Sequence, residues 1–255
     1  MRLFSCLKIF SVLLLAGGLG SCSLYVPMLP AAPQIRDKGQ VEIHGTSFLN
    51  RRWEAGATYS PAKYVLVRAA GGIRTDRGDS TFVRSRQYEL AAGGYYPLGQ
   101  RWLVSGLAGF GQARSSQGYW EGGSPTQRLD GDYYAFEARY HRLFAELAAS
   151  YTDNGFTLGM AGRLTDVRYD ALMYNSRSVG LRRLPRFEPM VFCQFGRPEG
   201  AVPWLRGQVA VTGSAALNQR PDVAPTLVAN KLAEEVPCLT VSVIILPHLF
   251  RAAGQ

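Results

Sequence analysis

The chain of 255 residues lacks most of what a helical membrane protein or a metalloenzyme requires. No apolar run reaches about 18 residues, the length a membrane-crossing helix needs, and no segment sustains a helical period. Histidine occurs only at His44, His141 and His248, scattered, and neither Cys193 nor Cys238 has a neighbouring Cys or His. A zinc site needs three or four converging ligands, so no metal is expected. Gly-rich stretches such as Gly106 to Gly111 lack the Lys and Ser or Thr that hold phosphates, and no cofactor is expected either. Acidic residues are few, 19 against 28 Lys and Arg. Aromatic residues, by contrast, are plentiful (13 Tyr, 12 Phe, 4 Trp), which excludes a disordered chain. Together with 28 Gly and near-neutral hydropathy, that composition suits an all-β domain or a membrane barrel.

The amino end defines the compartment. Arg2 and Lys8 precede the apolar stretch from Ile9 to Ala16, followed by Gly17, Gly18 and Gly20, the pattern of a secretory signal. It ends in Leu19-Gly20-Ser21-Cys22, which resembles the lipobox of bacterial lipoproteins. The resemblance implies that Cys22 receives a diacylglyceryl group and that residues 1–21 are cleaved away. Each buried CH₂ contributes about 0.8 kcal/mol, so two or three acyl chains anchor a protein stably where one would not. Loss of Arg2 and Lys8 still leaves the mature chain basic. In a secreted lipoprotein that excess is expected to meet anionic lipid head groups, not nucleic acid. Cys193 and Cys238 remain as either one disulfide or two separate buried thiols.

Residues 22–39 contain Pro27, Pro30 and Pro33 and no periodicity, and read as a lipidated, extended tether. Beyond them apolar residues recur at every second position, the spacing of half-buried strands. Trp53, Ala55 and Ala57 alternate with Glu54 and Thr58; Phe156, Leu158 and Met160 alternate with Thr157, Ala161 and Arg163. Ten such strands are expected between residues 40 and 250, leaving 251–255 as a short tail. Short turns are expected at Ser60-Pro61-Ala62-Lys63, Pro97-Leu98-Gly99-Gln100, Asp153-Asn154-Gly155 and 197–203. Long connections are expected at 74–86, 115–131, 171–186 and 214–237. Counted from the first strand, every long connection falls at one end of the sheet. That asymmetry predicts an up-and-down antiparallel transmembrane β-barrel of about ten strands.

On these features the chain resembles a family of small Gram-negative outer-membrane β-barrel lipoproteins. The likeness rests on Cys22, the Tyr25-Val26-Pro27 and Pro33 segment, the Lys38-Gly39-Gln40-Val41 entry and Ala57-Thr58-Tyr59-Ser60-Pro61-Ala62-Lys63-Tyr64. It implies an outer-membrane location and no catalytic motif. Strand parity places Glu42, Glu54, Glu89, Glu146, Arg68, Arg163 and Arg206 inside the barrel, where they are expected to form an ion network with Arg163 at its centre. Arg177, Arg182, Arg183 and Arg186 fall in or beside the long connections and are candidates for binding the phosphates of outer-membrane lipid, lipopolysaccharide in particular. The expected role is structural, accessory or surface-binding, without enzymatic activity and with no protein partner specified. Two alternatives carry their own markers. An outer-membrane lipid-modifying enzyme would draw on Ser150, His141 and Glu146, and a lipid-anchored soluble periplasmic barrel would hold an apolar ligand inside.

Overall fold

The computed structural model describes residues 24–49, 51–77, 81–121, 132–196, 202–217 and 237–254. Cys22 and residues 1–21 lie outside them, as do most of the expected connections at 115–131, 197–203 and 214–237. Ten antiparallel strands form the wall: β1 (Val41–Phe48), β2 (Arg52–Tyr59), β3 (Val65–Arg77), β4 (Thr81–Leu98), β5 (Trp102–Glu121), β6 (Asp132–Asp153), β7 (Phe156–Tyr174), β8 (Arg183–Phe195), β9 (Leu205–Thr212) and β10 (Cys238–Ile245). Each pairs with its sequence neighbour, and β1 pairs with both β2 and β10, which closes the sheet into a barrel. Two-residue strands at Arg177–Ser178 and Ala215–Ala216 fold back on β7 and β8. The carboxyl end forms a 3₁₀ turn, Pro247–Gly254, with Phe250 edge-on to Trp204 at 5.1 Å.

Alternation decides the facing. Leu147, Met160 and Trp53 on the outer surface are 70%, 63% and 60% exposed, while Arg163, Arg68, Glu89 and Glu146 face inward and are buried. An apolar outside around a charged inside is the reverse of a soluble barrel and is the organisation of a transmembrane one. Tyr59, Tyr64, Tyr96 and Trp102 are exposed near the rim of the short-turn mouth, where amphipathic rings suit a membrane interface. Among the described residues, tight turns join the strands at that mouth. Between β6 and β7 both Asn154 and Gly155 have positive φ (48° and 80°), the conformation a two-residue hairpin turn requires.

At the opposite mouth the strands continue well past the places where long connections were expected. β3 runs to Arg77 and β4 starts at Thr81, so most of 74–86 is hairpin; β5 reaches Glu121 and β6 starts at Asp132. The apolar alternation ends where the lipid would end, but the hydrogen-bond ladder does not need apolar side chains. It carries on through small or polar pairs such as Ser115 opposite Ala138 and Ser116 opposite Glu137. With 22 residues, β6 is about twice as long as the 9–11 residues that cross a bilayer. No disulfide joins Cys193 to Cys238.

Candidate functional site

The lumen is occupied by the chain itself. Residues 24–35 have no regular secondary structure and run through the barrel from the long-connection mouth to the short-turn mouth before turning into β1. Leu24 and Tyr25 pack among Tyr140, Val167 and Leu172. Midway, Leu29 meets Ala148, Ala161, Met190 and Phe192, and Ile35 ends among Leu66, Tyr95 and Leu103. The segment read as a tether is thus extended, and it fills the barrel.

Its composition explains how a backbone can sit there. Pro27, Pro30 and Pro33 carry no N–H to satisfy. Several of the remaining donors meet wall acceptors: Val26 N donates to Tyr140 Oη (3.2 Å), Leu29 N to Glu54 (3.1 Å) and Gln34 N to Glu42 (2.8 Å). Ala31 N lies 3.4 Å from Glu146, and the Tyr25 hydroxyl donates to Glu188 at 2.6 Å. In return the Leu29 carbonyl accepts from Arg163 at 3.4 Å and Arg68 at 3.5 Å.

Around this segment the wall charges assemble. Arg163 sits on β7 directly opposite Glu146 of β6 and Glu188 of β8. It reaches Glu146 at 2.6 Å, Glu89 at 3.1 Å and Glu188 at 4.0 Å, with its guanidinium 4.3 Å from the Phe144 ring centroid. Glu89 also pairs with Arg68 and, at 3.3 Å, with Arg142. Glu54 pairs with Arg52 at 2.8 Å. Six of the seven lumen residues named from parity therefore either join ions or hold the segment, since Glu42 does only the latter. Arg206 points inward but stands half-buried at the short-turn mouth and makes no ion pair among the described residues.

Four participants escaped the sequence reading: Arg52, Arg142, Glu188 and Tyr25. Arg142 has the parity of Glu146, four residues along β6, and Glu188 has the parity of Met190 on β8. Arg142 lies just before the apolar residues from which β6 was recognised, whereas Glu188 sits inside the expected strand that starts after residue 186, on its inward parity.

The phosphate-binding candidates divide. Arg177 and Arg182 are exposed in the β7–β8 connection, and Arg183 bonds Asp166 on the outer wall at 2.6 Å. Arg186 does not belong with them. It is fully buried in the lumen, donates to Ser214 Oγ at 2.7 Å and stacks 5.0 Å from the Tyr25 ring centroid, because β8 begins before it and turns it inward. Ser150, Glu146 and His141 do not converge. Ser150 and Glu146 face the lumen, with Ser150 bonded to Gln34 at 3.1 Å, whereas His141 is on the outer wall with Asp170 at 2.9 Å.

No protein-family model and no curated protein sequence matches the chain. Solved structures similar in shape include the translocator domain of the autotransporter NalP from Neisseria meningitidis, with 11% identity, a TM-score of 0.47, and coverage of 81% of this chain and 86% of that one. The outer membrane protease OmpT from Escherichia coli shows 11% identity, a TM-score of 0.41 and coverage of 82% and 91%. The N-terminal β-barrel domain of Pseudomonas aeruginosa OprF shows 10%, 0.33, 82% and 98%. At these identities the likeness concerns barrel shape alone.

Proposed function

We propose that this chain is an outer-membrane lipoprotein whose barrel is sealed by its own amino-terminal segment, with a structural or accessory role at the cell surface and not a transport or catalytic one. The observation that carries the reading is the passage of residues 24–35 through the lumen. Beside Leu29 and Pro30 lies a pocket of about 30 Å³, room for about one water. A solute path or an apolar-ligand cavity would need far more. Short turns face the periplasm in such barrels, so Leu24 lies at the outer mouth. Cys22 is two residues further on, within about 7 Å of it. The lipid anchor would then emerge on the outer face, beside the exposed Arg177 and Arg182, and lipopolysaccharide is the lipid those residues would meet.

Planar-bilayer recording of the purified full chain tests the seal. No steady conductance is expected, and large uniform steps would overturn it. Ser23→Cys tests the direction: an impermeant maleimide should label it in intact cells. Labelling only after the outer membrane is permeabilised would reverse the threading.

A further inference from the structure

Arg52, Arg68, Arg142 and Arg163 in the lumen and Arg168 and Arg183 around Asp166 have acidic partners. One outward-facing group does not. Arg86 of β4, Arg114 of β5 and Arg139 of β6 are paired directly across the ladder, all three exposed on the outer wall. Adjacent strands are about 4.8 Å apart, so three guanidinium groups occupy one row. Like charges directly opposite each other destabilise a sheet. Among the described residues no carboxylate lies within ion-pair distance of the three, and nearby Asp170 is engaged by His141. The next outward row along the strands is Tyr88, Gln112 and His141, and beyond it Leu90, Phe110 and Leu143 form an exposed apolar row. The arginines thus stand where hydrocarbon would give way to head groups.

Two cavities meet at the row. One, of about 670 Å³, is lined by the three arginines together with Arg77, Arg84 and a single carboxylate, Glu137, so its charge is net positive. The second, of about 1130 Å³, shares the same three and continues toward the apolar side. There the outer wall dips over the small residues Gly45, Ala55 and Gly71, which face one another across β1, β2 and β3, flanked by Trp53, Ile73 and Tyr88. A Cβ placed on Gly45 would meet nothing within 4 Å, so that part of the trough is open.

We propose that this is a binding site for a phosphorylated lipid of the surrounding leaflet, its phosphate held by Arg86, Arg114 and Arg139 and one acyl chain laid in the trough. An anion between the arginines converts their repulsion into forked hydrogen bonds, which guanidinium groups make to phosphate. The trough supplies what a soluble anion cannot use. The inference rests on the reading of the outer wall as membrane-facing and names the lipid contact separately from the surface connections.

The test uses delipidated full-length protein in neutral detergent. Its probes are a bis-phosphorylated, acylated glucosamine disaccharide, the dephosphorylated form of that lipid, and inorganic phosphate, with retained lipid counted by mass spectrometry. Retention of the phosphorylated lipid is expected, with a loss on the order of tenfold in Arg86→Gln/Arg114→Gln/Arg139→Gln at about 0.15 M salt. Gly45→Leu should lower retention while leaving the arginine row in place, and it keeps the test alive if the triple variant fails to fold. Equal retention by the parent and both variants, or equal retention of the dephosphorylated lipid, overturns the proposal. So does complete displacement by inorganic phosphate, which would make the row an anion site only. Heat-modifiable migration of each variant shows that the barrel persists. Release of the parent from membranes without detergent would instead defeat the membrane reading itself.

Discussion

Replacing Arg163 with leucine removes one of three cations from a buried cluster that holds three carboxylates: Arg68, Arg142 and Arg163 against Glu89, Glu146 and Glu188. The consequence differs among the acids. Glu89 keeps Arg68 and Arg142, and Glu188 keeps the Tyr25 hydroxyl at 2.6 Å. Glu146 keeps only the Ala31 N–H at 3.4 Å, so the uncompensated charge settles there. Stranding one partner of a buried pair costs about 3–5 kcal/mol. At about 2–4 °C per kcal/mol for a chain of this size, unfolding should fall by about 6–20 °C. Heat-modified migration on gels reads that transition directly. Arg163→Leu/Glu146→Leu removes both charges together and should recover much of the loss, a coupling of up to about 3 kcal/mol. A single variant that unfolds with the parent, or a double variant as poor as the sum of its parts, would refute the central position of Arg163.

Leu158→Arg places a charge on the lipid-facing side of β7 and should cost about 2–4 kcal/mol if it lies near the bilayer midplane, seen as a lower folded fraction in vesicles. Gly159→Val sets a side chain where a Cβ would come within 2.4 Å of Phe192, the ring that packs beside Leu29. A loss of about 1–3 kcal/mol is expected in denaturant titration. Cys22→Ala should abolish incorporation of labelled fatty acid, and label retained in the variant would remove the anchor assignment.

Facing was legible from the sequence because a period of two survives any error in where a strand ends. Trp53, Leu158 and Met160 outward, and Glu54, Glu89, Glu146 and Arg163 inward, follow from that period alone. Strand ends were not legible. β5 continues through Gln112-Ala113-Arg114-Ser115-Ser116-Gln117, where both faces are polar or small and no hydropathy contrast remains to mark a strand. The misplacement of Arg186 has the same origin. A strand begun one residue later leaves it in a connection, although its parity matches Glu188 and Met190. Nothing periodic marks residues 24–35, since their conformation comes from the wall acceptors they meet. The clustering of Leu24, Tyr25, Val26, Met28 and Leu29 was the available hint, because a solvated tether has no use for so many apolar side chains.

The strand number and the plug explain each other. About eight strands enclose a space that side chains alone can fill, and about sixteen enclose a water channel. Ten strands leave a bore too wide for side chains and too narrow for useful permeation, and one extended peptide fits it. The wall charges then need partners that side chains from the far wall reach only in part. Glu42 and Glu54 are turned toward backbone N–H groups of the segment, and Arg68 and Arg163 donate to its Leu29 carbonyl. Without residues 24–35 those acceptors and donors would face one another across an open gap. Because the segment immediately precedes β1, and β1 joins β10 to close the barrel, it is already alongside the seam when closure occurs. Closing the wall around a segment held by Glu42 and Glu54 avoids dragging the Tyr25 and Met28 side chains through a finished ring of buried arginines.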